Sequence, residues 1–401
     1  MENLYTKKED RSGIVSKEVE DIFGRGIRSS RDCILLSEEI FNKTAFKINA
    51  NTLRRFFGLV KADYPPSEST LNILSRYCGF ESFDELLASS KSRKNGGEDQ
   101  NAAGILNYLI SIFRFIPTKD YNDETFLALV KHTIQFLNRH PELSDKFQKA
   151  IAKTKNGQEF YFEQFINIDG LNSFYGEGLR YYLLEKKTTE AQIFGHSLLC
   201  LRGWLSDKVS EVKQHYEAVM EQRLDNSIHP FVCGRYFATQ LYYTNINILE
   251  SERILADARI VHATLKQGRD NYRLFPAFEY VFSSALLVTG HYNEALYYIN
   301  YALKNYPEKP SYIEDGFYID IDLIKALVLV KNGRKEEAEK IYNQIKPSEF
   351  YFLTRKINMI MYLFLRKFLK KINGKMDQQL KDLIKATGFI KLLTINGNHD
   401  R

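Results

Sequence analysis

Apolar residues recur every three or four positions along almost the whole 401-residue chain, which is the spacing of one face of an α-helix. No segment shows the strict alternation of apolar and polar residues that is typical of a half-buried strand. Glycine and proline residues separate the helical segments and mark the connections between them. The pattern therefore predicts an all-α protein.

Helix start and stop signals are clearest in the first quarter of the chain. Asn49 is predicted to cap a helix that runs through Phe57 and closes at Gly58, because asparagine accepts backbone N–H groups and glycine adopts left-handed backbone angles. Ser67 and Gly79 are predicted to begin and end the following helix in the same way. Five short helices are expected here. The inward-facing apolar residues are expected to be Ile34, Leu35 and Phe41 in the second helix and Leu53, Phe56 and Val60 in the third.

A change in residue character divides the chain. A small, polar, glycine-containing stretch without apolar periodicity predicts a flexible linker, and the helical pattern resumes beyond it. The predicted divisions are a front domain at 1–90, a linker at 91–104, a helical body at 105–230, helical repeats with C-terminal capping helices at 231–387, and a tail at 388–401.

Two segments in the second half carry the same spacing of small residues. Gly290 is followed by Ala295, and Gly333 by Ala338, in each case where one predicted helix ends and the next begins. These segments resemble the tetratricopeptide repeat, in which the alanine lets the second helix pack closely. The family period is about 34 residues, and the two alanines are farther apart, so a longer loop is expected at 308–316. The resemblance implies stacked helix pairs, an α-solenoid, and leaves open whether the body before residue 230 consists of degenerate repeats.

The front domain resembles the lambda-repressor-like helix-turn-helix family, in a form that precedes helical bodies in many bacterial proteins. TLRRFFG at 52–58 and GFESFDEL at 79–86 match that form. The matching positions are Leu36, Ile40, Asn49, Thr52, Leu53, Arg55, Gly58, Pro66, Ser67, Thr70, Leu71, Leu74 and Gly79. The resemblance implies that residues 50–57 form the helix that enters the DNA major groove. This helix is one residue shorter than in the family pattern, and Phe57 stands at a usually polar position.

Six side chains around that helix form the candidate DNA-binding site. Asn51, Arg54 and Arg55 fall on one face at helical spacing, and asparagine and arginine can each make two hydrogen bonds to a purine edge. The window from Ile40 to Ala62 contains five basic residues and no acidic one, which favours phosphate binding. The candidate residues are Asn51, Arg54, Arg55, Lys43, Lys47 and Lys61. The alternative is a solvated helix face, or a face that docks on a protein.

Composition adds few constraints. The net charge of +6 permits an acidic partner without requiring one. The four cysteines lie far apart with no C-x-x-C pair, which predicts neither a metal site nor a disulfide and fits a reducing cytoplasm. The N-terminus is charged and no apolar run is long enough to span a bilayer. A cytoplasmic, bacterial protein with no membrane partner is therefore expected.

Motifs of catalysis are missing from the sequence. There is no H-E-x-x-H, no G-x-S-x-G and no phosphate-binding G-x-x-x-x-G-K-[ST], so no enzyme activity, cofactor or metal is predicted. The short sequence Gly176-Glu177-Gly178 is predicted to be a turn between helices. The basic segment 351–375 is predicted to cap the helical array, with binding to a membrane or to a second DNA segment as the alternatives.

The function predicted from these features is transcription regulation. The front domain is expected to bind DNA, and the body to bind a peptide or protein in its groove or a second copy as a homodimer. The alternative is a non-enzymatic protein–protein interaction scaffold without DNA binding. Pairing of the candidate arginines with Glu38 or Glu39 would favour the scaffold.

Overall fold

The computed structural model describes residues 6–44, 46–62, 64–80, 82–87, 98–225, 227–268, 275–306 and 316–396. Regular structure in these ranges is entirely helical, without a strand, which confirms the all-α prediction. The chain divides into two compact units, Met1–Ile105 and Leu106–Arg401.

The first unit contains a core built by four helices and a helical turn. Helix α1 packs on α4, and α2 packs on both α3 and α4. The core consists of apolar side chains from every one of these helices, including the fully buried Val19, Leu36, Leu53 and Leu74. The helices are α1 (Thr6–Phe23), α2 (Ser30–Thr44), α3 (Ala50–Phe56) and α4 (Glu68–Tyr77), followed by the turn at 83–87.

The predicted caps of α3 and α4 are confirmed. The Asn49 side chain accepts the backbone N–H of the second residue of α3, and the Ser67 side chain accepts that of the third residue of α4. Each satisfies a donor that has no partner inside the helix. Gly58 and Gly79 have φ angles of +69° and +89°, the left-handed conformation that favours glycine. Both ends of α3 are therefore determined by local sequence.

The prediction of which α2 residues face the core is wrong. Ile34, Leu35 and Phe41 are exposed, and Phe41 keeps 52% of its surface in contact with solvent. Cys33, Leu36 and Ile40 are buried instead. Apolar residues occupy two adjacent faces of α2, so spacing within this helix does not decide which face meets α3 and α4.

Val60 is also exposed, although it was expected to point into the core with Leu53 and Phe56. Leu53 is buried and Phe56 packs against the core, as predicted. The helix ends at Phe56, and the chain then turns through the left-handed Gly58. Helical spacing therefore no longer sets the direction of the side chain at position 60.

Helix α5 (Glu98–Phe115) begins inside the segment predicted as a linker. Residues 98–104 are helical and not a flexible connection, because alanine, glutamate and glutamine favour a helix and a single glycine is tolerated. The rest of the predicted linker, residues 91–97, lies outside the described residues.

The second unit is formed by helices that pack mostly against their neighbours in sequence. They are α6 (Glu124–Arg139), α7 (Pro141–Ile151), α8 (Phe174–Glu185), α9 (Thr189–Leu205), α10 (Val209–Met220), α11 (Pro230–Asn247), α12 (Glu252–Gly268), α13 (Ala277–Thr289), α14 (Tyr292–Asn305), α15 (Gly316–Lys331), α16 (Lys335–Tyr342), α17 (Arg355–Phe368) and α18 (Gly374–Thr387). A π-helical segment, Gly157–Gln164, connects α7 to the short 3-10 turn Ile168–Gly170.

From α9 onward the helices form five successive pairs. The pairs are α9 with α10, α11 with α12, α13 with α14, α15 with α16, and α17 with α18. The first helix of each pair also packs on the first helix of the next, so α9, α11, α13, α15 and α17 form a continuous inner row. These five are called the row helices below.

The small residues singled out in the sequence lie at helix ends and at buried positions of the second unit. Gly290 and Gly333 end row helices α13 and α15 in the left-handed conformation. Ala295 and Ala338, in the second helices of the two pairs, are fully buried. The longer loop expected between the pairs, 308–316, lies outside the described residues except for its last residue, which begins α15.

Gly176 and Gly178 lie inside α8, so the turn predicted there is wrong. A Cβ atom at Gly176 would overlap the carbonyl oxygen of Leu171, and one at Gly178 would overlap the side chain of Gln148. At these two positions, glycine allows neighbouring segments to pack closely and does not change the direction of the chain.

The end of the chain packs back on residues far earlier in the second unit. Asp169 accepts the backbone N–H groups of Lys356 and Ile357, at 2.7 and 3.0 Å, and so caps α17. Residues 390–396 form a 3-10 helix against α9 and α18, and Leu392 is buried. The predicted tail, 388–401, is therefore folded as far as 396, and its last five residues lie outside the described residues.

The basic segment 351–375 packs apolar side chains into the second unit, and its role as a cap of the array stays a prediction, since α18 and a 3-10 helix follow it. Helix α17 buries Ile360 and Phe364, and its Arg366 donates to the carbonyl oxygen of Lys371. The Lys371 ammonium pairs with Glu339.

Candidate nucleic-acid interface

Helix α3 is a seven-residue helix held by its apolar side. Leu53 is fully buried against α2, and Phe56 packs edge-to-face on Phe57 with ring centroids 5.0 Å apart. This anchoring fixes which side of the helix remains outside. Asn51 and Arg55 are exposed there, whereas Arg54 is half-buried.

Arg54 is held by the protein itself and does not stand free beside Arg55. Its Nη1 donates to Oδ1 of Asn51 at 2.8 Å, and its Nε is buried without an acceptor among the described residues. The guanidinium also acts on Cys33 of α2: burial raises the pKa of this thiol, and the positive charge of Arg54 lowers it in part. The predicted trio therefore separates into a tethered Asn51–Arg54 pair and an independent Arg55.

Arg55, Lys47 and Lys61 are exposed and make no hydrogen bond or ion pair within the part of the chain that the structure describes. Lys47 lies just before α3 and Lys61 just after its closing turn. We call these three residues the open cations. Lys43 lies within α2, and its side chain is not among those described. The open cations place on α3 and in the segments beside it a positive charge that the described residues do not neutralise.

The acids that could have neutralised the arginines do not contact them. Glu39 accepts a hydrogen bond from the Tyr77 hydroxyl at 2.9 Å. Burial, together with the Glu39 carboxylate, raises the pKa of Tyr77, which keeps its hydroxyl as the donor. Glu38 is exposed and forms no ion pair with a described residue. The pairing that would have favoured a scaffold is therefore not observed among the described residues.

The first unit also contains a shallow pocket of about 360 Å³ that the sequence did not single out. Arg76 lies over the ring of Phe46, 4.7 Å from its centroid, at one wall. A phenylalanine in an irregular segment carries no periodic signal, so only the fold reveals the pocket. Its lining consists of Phe46, Glu68, Ser69, Asn72, Ile73 and Arg76.

Other site chemistries find little support in the described residues. No three His, Cys, Asp or Glu side chains gather there as metal ligands would, and Cys33, Cys78, Cys200 and Cys233 are buried. None of the described helices combines the length and apolar character needed to cross a bilayer. Comparison of the chain with protein-family models, curated proteins and solved structures finds no match.

Proposed function

We propose that the chain is a DNA-binding transcriptional regulator. Its first unit contacts duplex DNA through α3, and its second unit is a tetratricopeptide-like body that binds a peptide or protein. The observation that carries the proposal is the set of open cations, Arg55, Lys47 and Lys61, on and beside a short helix capped at both ends.

The dimensions and charge of α3 suit a DNA groove. A helix of seven residues is about 10 Å long, and the major groove of B-DNA is about 12 Å wide. Each phosphate that Lys47 or Lys61 neutralises releases counterions, which favours binding at low salt. Arg55 has all five guanidinium donors available for a guanine edge or a phosphate. The Asn51–Arg54 pair adds a second group of donors beside it.

The five helix pairs of the second unit support the tetratricopeptide-like part of the proposal. Buried alanines at 295 and 338 bring the helices of two pairs close together, and stacked pairs create an extended surface for a ligand. A ligand that binds more tightly to one arrangement of a dimer of this chain would favour that arrangement. It would thereby change the spacing between the two DNA half-sites that the dimer can bind.

A protein-interaction scaffold remains the second candidate, because α2 exposes Ile34, Leu35 and Phe41. Three large apolar side chains on one helix form a surface that another protein can cover. In this interpretation, the open cations are a solvated face.

Binding of the full chain to a pool of random-sequence duplexes at low salt tests the proposal. Arg55→Ala is expected to lower the affinity by about ten- to a hundredfold, since a charge-assisted contact contributes about 1.5–3 kcal/mol. Arg253→Ala removes an arginine that is 95% exposed in the second unit and serves as the control, with no expected loss. Equal affinities for wild type and Arg55→Ala, or no duplex binding by the wild type, would mean that α3 is not a DNA-binding element.

A further inference from the structure

The second unit contains two buried arginines among its described residues, and they differ in their surroundings. Arg202 forms ion pairs with Glu177 and Glu211, at 3.2 Å each. Arg235 is 7% exposed and has no carboxylate within ion-pair distance among the described residues. A buried charge is costly unless an opposite charge compensates it, so Arg235 needs a separate explanation.

The groups around Arg235 are aromatic and uncharged. Its guanidinium lies over Phe231, 5.2 Å from the ring centroid, and its Nε is buried without an acceptor in the described structure. Tyr175, Tyr242 and Tyr280 lie near enough that their phenolate forms would act on its charge. Burial raises the pKa of each of these three tyrosines above its ordinary value, so none supplies a phenolate charge at neutral pH.

Asp320 is the carboxylate connected to this cluster, and it does not neutralise the positive charge of Arg235. It accepts hydrogen bonds from the Tyr280 hydroxyl at 3.1 Å and from the Asn358 side chain at 2.5 Å, with no contact to the guanidinium. Burial raises the pKa of Asp320 to about 8, so the carboxyl is mostly protonated at neutral pH. The positive charge of Arg235 therefore has no counter-charge among the described residues.

Arg235, Tyr280, Asp320 and Asn358 come from four successive row helices, α11, α13, α15 and α17. We call them the polar row. The backbone beside Arg235 is closely packed, because α11 approaches α13 so closely at Gly234 that a Cβ there would lie 3.0 Å from the Phe278 carbonyl oxygen. A charged group fixed at the end of a row of hydrogen-bonding side chains is organised for recognition rather than for packing.

We propose that Arg235 binds an anionic group of a ligand, a carboxylate or a phosphate, which supplies the counter-charge that the protein lacks. The planar guanidinium offers paired donors to either group. The inference gives the ligand chemistry of the second unit and rests on the proposed function only for the statement that this unit is the ligand-binding part.

Thermal unfolding of the full chain, followed by tryptophan fluorescence, tests the inference. The single tryptophan, Trp204, is buried in α9 and reports on the second unit alone. Inorganic phosphate and acetate are titrated separately against chloride at constant ionic strength. Phosphate stabilises many folded proteins by exclusion from their surface, so the difference between wild type and Arg235→Met is the quantity measured.

We expect at least one anion to raise the unfolding temperature of the wild type and to have a clearly smaller effect on Arg235→Met. A response to phosphate alone identifies a phosphate-bearing ligand, and a response to acetate alone a carboxylate. In chloride, Arg235→Met is expected to unfold at the same or a higher temperature than wild type, because it removes an uncompensated buried charge. Arg202→Met is expected to unfold at a lower temperature, because it removes the buried cation that pairs with both Glu177 and Glu211, and to keep the anion response.

The proposal is overturned if wild type and Arg235→Met respond equally to both anions. If Arg235→Met fails to fold, Arg235→Lys replaces it, because lysine keeps the charge but lacks the paired donors. This variant is expected to show a weaker anion response than wild type. An unchanged response in Arg235→Lys would also overturn the proposal. Arg55→Ala is expected to respond like wild type. Failure of DNA binding would leave the anion response intact, so the two proposals fail separately.

Discussion

Adjacent residues on α3 have different roles because their surroundings differ. Arg54 donates to Asn51 and its Nε is buried, whereas Arg55 is exposed without a partner among the described residues. Spacing in the sequence predicted one shared face for these residues. It could not predict that one arginine is half-buried, because that depends on how closely α2 packs against α3.

The charge state of Asp320 leads to a pH prediction. Burial raises its pKa from about 3.8 to about 8, so the folded protein holds a proton that the unfolded chain releases above about pH 4. The stability that this proton contributes is present at low pH and is lost as pH rises towards 8. Asp320→Asn removes the titrating group while keeping the hydrogen-bonding shape.

We therefore expect the unfolding temperature of Asp320→Asn, measured by Trp204 fluorescence, to rise relative to wild type between pH 5 and pH 8. Groups that do not act on Asp320, such as His215, titrate in both proteins and cancel in the difference. Parallel pH profiles for the two proteins would show that Asp320 is not protonated in the folded state.

At the level of helices, local signals predicted the structure well where they act within a few residues. The caps at Asn49 and Ser67 and the left-handed Gly58 are set by neighbouring atoms, so the sequence was sufficient. The outward face of α2 could not be predicted from its own residues, since Ile34 and Leu36 are equally apolar and packing selects between them.

Helix α17 begins with a cap that no local pattern contains. Asp169 precedes it by nearly 190 residues and accepts two of its first backbone N–H groups. Burial raises the pKa of Asp169 to about 6, so the carboxylate is mostly ionised and accepts these donors at neutral pH. This cap also connects the end of the second unit to its middle.

Asp169→Ala is expected to destabilise α17 by about 1 kcal/mol, the usual loss when a helix loses its capping side chain. Hydrogen exchange followed by mass spectrometry should show faster exchange in peptides that cover 355–368 and unchanged exchange in 124–139. Asp123→Ala is the matched control, because Asp123 caps α6 by accepting from Phe126 at 3.0 Å, and the reverse pattern is expected for it. Unchanged exchange in 355–368 would contradict the role of Asp169.

On the scale of the whole molecule, two groups of charged and polar side chains are central, a basic window in the first unit and the polar row in the second. The net charge is +6, and the window from 40 to 62 holds basic residues only among its charged positions. The sequence predicted this window, because it is continuous. The polar row could not be predicted, since Tyr280 and Asp320 are 40 residues apart in mostly apolar helices and only the stacking of row helices brings them together.

The most direct test of the DNA-binding role is the salt dependence of duplex affinity for the full chain. The logarithm of the association constant should fall linearly with the logarithm of salt concentration. The double variant Lys47→Ala with Lys61→Ala should reduce the slope by about two, one for each phosphate that the variant no longer neutralises. An unchanged slope in this variant, or duplex binding by the wild type that does not depend on salt, would contradict the assignment of the open cations to DNA.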